Sequence, residues 1–289
     1  MEETYGKMNF TQRISKIYTI INENILLKVG TILLGIILLS ALFAPLLATH
    51  NPYVLNDDLV SPPGKNHLLG TDGLGRDVFS GLLYGARTSI VIGVVAAFIS
   101  AVIGVIIGGV AGYYRGRIDT ILSEVINVFL MIPTFFLILI TIALFGSSMF
   151  NMMVVIGLTT WTGNARLMRA QALSIRERTF ISALEATGLS KFKILIKHVI
   201  PNGIFPIISN TTMNISAAIL TEAGLSFLGL GDPNVISWGQ MVFQGKSYLV
   251  NGWWISTFSG AAIVITVLAF YLLGDGLNKV LSPKLKQKI

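Results

Sequence analysis

The sequence predicts an all-α polytopic membrane protein with six transmembrane helices. Three observations carry this expectation. Hydrophobic residues make up 53% of the 289 positions and charged residues only 12%, about half the charge of an ordinary soluble domain. Several apolar runs reach the roughly 20 residues needed to cross a bilayer core of about 30 Å. Nearly all lysines and arginines fall in segments on one side of those runs. With mean hydropathy at +0.73, no large soluble domain fits beside the spans.

Taken in order, residues 1–24 form an amino-terminal segment, and the first apolar run covers 25–48. That run is too long for the apolar core of a cleavable signal and lacks a small-residue cleavage site, so it is expected to stay as the first span. A loop follows at 49–86. The core is expected to run from 87 to 278, with spans at 89–113, 121–145, 149–162, 203–220 and 255–273. The fourth and fifth of the six carry polar residues. Between them lies a long basic loop, 163–202, and a basic tail closes the chain at 279–289.

Charge sets the orientation. All of the 21 basic residues except Lys65, Arg76, Arg87 and Lys246 lie in residues 1–28, the Arg115–Arg117 turn, the 163–202 loop or the tail. The positive-inside rule then places both termini and the basic loop in the cytoplasm. The net charge of +7 is explained by this crowding on one membrane face, not by a nucleic-acid partner.

Gly104, Gly108, Gly112 and Gly116 recur every four residues along the second span. Such a series lies on one slowly drifting helical face and predicts close approach of another helix. Pro133, inside the third span, removes a backbone donor and should kink it. The fifth span carries Asn202, Pro206, Asn210, Asn214 and Glu222 at multiples of four, with Thr211 and Thr212 beside them. Amides facing lipid are costly. The stripe, with Asn210, Thr211 and Asn214 at its centre, therefore either lines a translocation path or glues helices together. Glu222 and Asp275 are expected near span ends, in reach of water.

Reactive chemistry is hard to place. With no cysteine, disulfides, thiolate catalysis and thiolate metal sites are excluded. The stretch GQMVFQGKS at 239–247 resembles a phosphate-binding loop but has one residue too many between its glycines and no preceding strand. Asp275 has no second aspartate mid-membrane. His50, His67 and His198 are scattered, offering neither a base within a span nor a metal-ligand spacing. No enzyme, no metal and no cofactor bound by this chain are expected.

The basic loop reads SALEATGLSKFKILIKHVIPN over 182–202. A short helix is expected to end near Thr187, with Gly188 taking the left-handed cap that reverses the chain. Beyond it, Lys191, Lys193 and Lys197 alternate with Phe192, Leu195 and Ile196. Such an amphipathic stub can insert apolar side chains into a partner's groove.

Further blocks complete a pattern: HLLGTDGLGRDVFS at 67–80, YGARTS at 84–89, GYYRG at 112–116, LTEAGLSFLGLG at 220–231, SWG at 237–239 and LLGDGL at 272–277. In this order they resemble the permease subunits of ABC importers for dipeptides, oligopeptides and nickel, from about His67 to the carboxyl terminus. The resemblance implies a type I ABC importer permease fold in the inner membrane of a prokaryote, carrying small peptides or, alternatively, nickel or a metal chelate. A channel or secondary transporter is the rival class, but neither inverted repeats nor buried ion-coupling residues are evident. The resemblance further implies a second related permease subunit, two cytoplasmic ATPase subunits that bind ATP and Mg, and an extracytoplasmic substrate-binding protein.

By the same resemblance the basic loop is the ATPase-coupling loop, patterned EAAxxxG before a hydrophobic pair and Pro. Gly188 and Pro201 fit, but Ser182, Ala183 and Leu184 stand where Glu-Ala-Ala is usual. Glu185 occupies a different slot. The missing glutamate puts the order of the loop in question. Only residues 232–236 separate GLG from SWG, where relatives have a longer double-proline segment. By the same resemblance the long outer loops, the second carrying Trp238 and the Trp253–Trp254 pair, are expected to receive the binding protein, with anchoring at the membrane interface the alternative role for Trp253 and Trp254.

Overall fold

The computed structural model describes residues 19, 21–22 and 24–281. Lys7, Arg13 and Lys16 of the amino-terminal segment and Lys284, Lys286 and Lys288 of the tail lie outside the described residues. The described chain is helical, its helices joined by turns and one long loop.

Helix α1 (Ile25–Leu42) starts where Asn24 accepts hydrogen bonds from the N–H groups of Leu26 and Leu27 at 3.0 and 3.2 Å, satisfying two of the donors that a helix start leaves open. Its outward residues Ile32, Ile36 and Leu39 are exposed, as a lipid-facing helix requires. A single turn, α2 (Ala44–Leu47), leads into the loop. Helix α3 (Val78–Tyr114) is 37 residues long. It begins well before the expected residue 89 because Asp77 accepts from Ser80 N–H at 2.8 Å and caps it. The loop expected over 49–86 therefore ends at Asp77.

The third expected span is two helices, α4 (Gly116–Met131) and α5 (Thr134–Phe145), meeting at an 80° bend. Pro133 has no N–H to give, and it holds Ile132 in extended backbone, so the kink expected from the sequence is a full break. Helix α6 (Met149–Arg176) carries on far past residue 162. Hydropathy stops at 162, but helicity does not, because the polar side chains beyond it find partners. Asn164 is buried against Ser100, and Arg169 forms a two-pronged ion pair with Asp119 at 2.6 and 2.8 Å. The basic loop thus starts after Arg176 rather than at 163.

Beyond it come α7 (Thr179–Ala186), α8 (Lys191–Ile194), a π turn (Leu195–Val199), α9 (Ile200–Gly203), α10 (Phe205–Phe227), α11 (Trp238–Gly245) and α12 (Trp253–Leu281). The bend between Lys191–Gly203 and Phe205–Phe227 is 62°. Among the described residues, three helices are long and apolar enough to cross a bilayer, or up to five if each bent pair is one span. Helix α6 is not in that set; its apolar part is short and interrupted by Thr159, Thr160 and Thr162.

The glycine series does bring two helices together. Gly104 faces Trp161, Asn164 and Ala165; Gly108 faces the backbone of Ala165; Gly112 faces Arg169 and Ala172, all on α6. Gly116 departs from the series. It lies past the end of α3, with φ +58° and nothing near its Cβ position, and it serves the turn into α4. Gly157 returns the contact, lying against Ala96 and Ile99 of α3. Helices this close gain dispersion along their whole length, the principal attraction where lipid is as apolar as the side chains.

Candidate functional site: a capped docking loop and the polar layer behind it

The basic loop is built as a rigid reversal. Gly188 has φ +78°. Its N–H donates to Glu185 O at 3.0 Å, and Leu189 N–H donates to Leu184 O at 3.3 Å. This pair of bonds is the Schellman cap, completed by apolar contact between the residues three before and two after the end. Leu184 and Leu189 are both half-buried in the same cluster. Further on, Pro201 cannot donate to Lys197, and the preceding turn widens so that Ile200 N–H reaches Leu195 O.

The loop divides its side chains cleanly. Ile181, Ile194, Leu195 and Val199 are buried against Tyr113, Met168 and Ile175 at the base of α3 and α6. Ser182, Ala183, Glu185, Gly188, Lys191, Lys197 and Pro201 are exposed. Phe192 is 68% exposed and Ile196, four residues on, is exposed beside it. Leu195, expected from sequence among the outward apolar residues, points inward; it is one of the residues that hold the loop down.

Glu185 anchors the loop, accepting from Tyr113 Oη at 3.1 Å. Tyr113 is held in turn by Arg176, which donates to its carbonyl and lies 5.6 Å over its ring. Arg115 pairs with Glu177 at the loop's start. Ser182 is exposed. The order in question at the Ser182 slot is thus supplied one turn later, by a carboxylate whose partner lies 72 positions away in sequence.

Behind the loop lies a polar layer. Asn210 on α10 donates to Asn164 Oδ1 on α6 at 2.9 Å, and Asn164 donates to Ser100 on α3 at 3.4 Å. At Asn210 the geometry is that of interhelical hydrogen bonding. Thr211 and Asn214 are half-buried and outside this chain of bonds, and Thr211 Oγ1 is buried without a hydrogen-bond partner among the described residues.

Glu222 differs from expectation. It is 1% exposed rather than open to water. Its Oε1 accepts from Ser226 at 2.8 Å and from Ser237 at 2.7 Å. Ser237 also caps α11 through Gln240 N–H, so Glu222 fastens the connection between α10 and α11. Asp275 is partly exposed and pairs with Lys279 at 2.8 Å.

The long loop between α2 and α3 is also well tied. Trp254 donates to Thr71 O at 3.1 Å and Trp238 to Leu82 O at 2.9 Å. Both indoles are buried, so these two tryptophans are core residues; Trp253 alone of the three is half exposed. Residues 239–247, which resemble a phosphate loop in sequence, lie in α11 and the turn after it. His50 and His67, scattered in sequence, converge on Asp77, with donor atoms within 4.8 Å of one another. Sequence spacing gave no sign of this. Burial pushes the Asp77 carboxyl up, but hydrogen bonds from Ser80 and His67 and the charge of nearby His50 hold it below its ordinary value.

A bundle of apolar helices with an exposed, rigidly capped basic loop defines an integral membrane protein with a surface fit to meet a partner. Comparison with known proteins gives that class a family. Residues 102–287 match the family described as "Binding-protein-dependent transport system inner membrane component", and the chain belongs to it. The chain is 39% identical over 272 residues to the dipeptide transport system permease protein of Bacillus subtilis (strain 168), spanning 92% of this chain and 84% of that one. It is 36% identical over 269 residues to the oligopeptide transport system permease protein of the same organism, spanning 92% and 88%. The di/tripeptide transport system permease protein of Pseudomonas aeruginosa (strain UCBPP-PA14) is 34% identical over 89% of this chain and 88% of that one. Among solved structures, the inward-facing MetNI methionine ABC transporter superposes with a TM-score of 0.56 at 20% identity, covering 69% of this chain and 96% of that chain. That likeness shows the ABC transporter permease fold. The protein is thus a non-catalytic, multi-pass inner-membrane permease of a binding-protein-dependent ABC importer, working with ATPase and binding-protein partners.

Proposed function

We propose that this permease carries small peptides, and that the 177–202 loop couples it to ATP hydrolysis. The peptide reading is supported by relatives named for dipeptide, di/tripeptide and oligopeptide transport; those relatives lend no support to the nickel alternative. The chain crosses the membrane six times, with α6 as the fourth span and each bent pair as one. Both termini and the basic loop face the cytoplasm, in keeping with the charge bias. It pairs with a second related permease and with two ATPase subunits, which bind ATP and Mg; this chain binds neither. The binding protein docks on the opposite face, on the loop between α2 and α3 and the connection from α10 to α12. Asn214 and Thr211, half-buried and outside the Asn210–Asn164–Ser100 chain, belong to the translocation path.

The observation that carries the coupling assignment is the division of the loop. Phe192 and Ile196 face outward among Lys191, Lys193 and Lys197, while Ile194, Leu195 and Val199 lock the same segment to α3 and α6. An apolar pair on a rigid mount transmits a partner's displacement to the spans. The test is peptide-stimulated ATP hydrolysis and uptake by the assembled importer carrying Phe192→Ala with Ile196→Ala. Both activities should fall together while the two permeases still copurify. Unchanged uptake would sink the coupling assignment, and uptake that follows another solute but not peptides would sink the cargo.

A further inference from the structure

We infer that His50, His67 and Asp77 form a binding site for a divalent cation of the zinc class. The three residues come from separate stretches. His50 follows α2, His67 sits in the loop, and Asp77 is the cap of α3. Asp77 Oδ1 lies 2.9 Å from His67 Nδ1 and 3.7 Å from His50 Nδ1. Around a tetrahedral zinc with bonds of about 2.0–2.1 Å, neighbouring donors stand roughly 3.3 Å apart. The two observed separations bracket that value. An ion could enter with small displacements of two imidazoles about one fixed oxygen.

That oxygen is held in place. The other carboxylate oxygen, Oδ2, accepts from Ser80 N–H at 2.8 Å, Ser80 Oγ at 2.7 Å and Thr49 Oγ1 at 3.3 Å. Partners of this kind orient a ligand before any metal arrives. The other ring nitrogen of His67, Nε2, lies 3.8 Å from Asp58 Oδ2, close but beyond hydrogen-bond reach. Without an ion, His67 donates its Nδ1 proton to Asp77. With an ion at Nδ1, the proton would sit on Nε2, on the Asp58 side, so that the ring binds as a neutral ligand.

Burial supplies an entrance as well. His67 is 7% and Asp77 1% exposed, whereas the His50 side chain is 38% exposed. An ion enters from the His50 side, where its fourth position is left to water. A hydrogen-bonded clip would need only His67 on Asp77. The second imidazole, its ring centroid 4.6 Å from that of the first, adds no hydrogen bond to Asp77 at 3.7 Å but completes a ligand set. Two imidazoles and one carboxylate favour Zn²⁺, Cu²⁺ or Ni²⁺ over Mg²⁺ and Ca²⁺. Bound there, the ion would tie the end of α2, the loop and the start of α3 together.

The test uses the purified full-length chain, without a histidine tag, in lipid nanodiscs. Zinc titrated calorimetrically should bind at one equivalent, and Co²⁺ in its place should give the strong visible absorption of a tetrahedral site. His50→Ala, at the exposed ligand, should weaken zinc by roughly tenfold or more and abolish the cobalt spectrum without lowering the metal-free melting temperature. His67→Gln should weaken zinc likewise, and His198→Ala should change nothing. Absence of stoichiometric binding, or equal affinity in His50→Ala and the parent chain, would overturn the assignment and leave His67–Asp77 as a hydrogen-bonded clip.

Discussion

Replacing Gly108 by alanine adds one methyl group at the tightest point of the α3–α6 contact. The new Cβ would stand 2.9 Å from the carbonyl carbon of Ala165 and 3.0 Å from its Cα, and nearer still to its carbonyl oxygen. Carbon atoms rest at about 3.5–4.0 Å, so the helices must part by roughly half an ångström or more. The obstacles are backbone atoms, which cannot rotate aside. Overpacking of this kind costs about 1–3 kcal/mol, and parting at 108 also loosens Gly104 and Gly112. A loss of about 3 kcal/mol is therefore expected, read as a lower midpoint of denaturant unfolding in detergent micelles. Gly35→Ala is the control, since nothing lies within 4 Å of its Cβ position. If Gly108→Ala unfolds at the same midpoint as Gly35→Ala, the close approach of α3 and α6 is wrong.

Three other substitutions probe the remaining supports. Tyr113→Phe removes the hydroxyl that holds Glu185, at a net cost of about 1 kcal/mol; hydrogen exchange over residues 179–189 should quicken while that of α12 stays unchanged. Glu222→Ala leaves the Ser226 and Ser237 hydroxyls buried without their acceptor, a loss of about 1–3 kcal/mol for each group left unpaired. Glu222→Gln keeps an acceptor oxygen and should melt closer to the parent chain. Asn164→Ala cuts both links of the three-helix polar layer, and at about 0.6–1.7 kcal/mol per link should lower the unfolding free energy by roughly 1–3 kcal/mol, with transport less affected than by the Phe192 and Ile196 pair.

The residues that could be read in advance are those whose consequence is local. Gly188 needs only its own backbone freedom to cap a helix, and Pro133 only its missing N–H to break one. The Gly104–Gly108–Gly112 face follows from helical period alone. Where the structure departs from sequence expectation, a partner lies far away in the chain. Hydropathy ended the fourth span at 162, but Asn164 and Arg169 extend α6 because Ser100 and Asp119 await them. The position of Glu222 on the helix predicts contact with water, yet serines four and fifteen residues on enclose it. Leu195 turns inward because Tyr113, Met168 and Ile175, remote in sequence, offer it an apolar bed beside Ile194 and Val199.

The sequence by itself determined that the chain is a helical membrane protein with a basic, glycine-capped loop. Apolar length, helical period and charge bias are properties of consecutive residues, and solvation acts on them before any tertiary contact forms. The tertiary structure alone decided which side chains of that loop face outward, that Glu185 rather than Ser182 anchors it, and that His50 and His67 meet at Asp77. Each depends on distance between residues remote in the chain, and such distances exist only once the helices have packed.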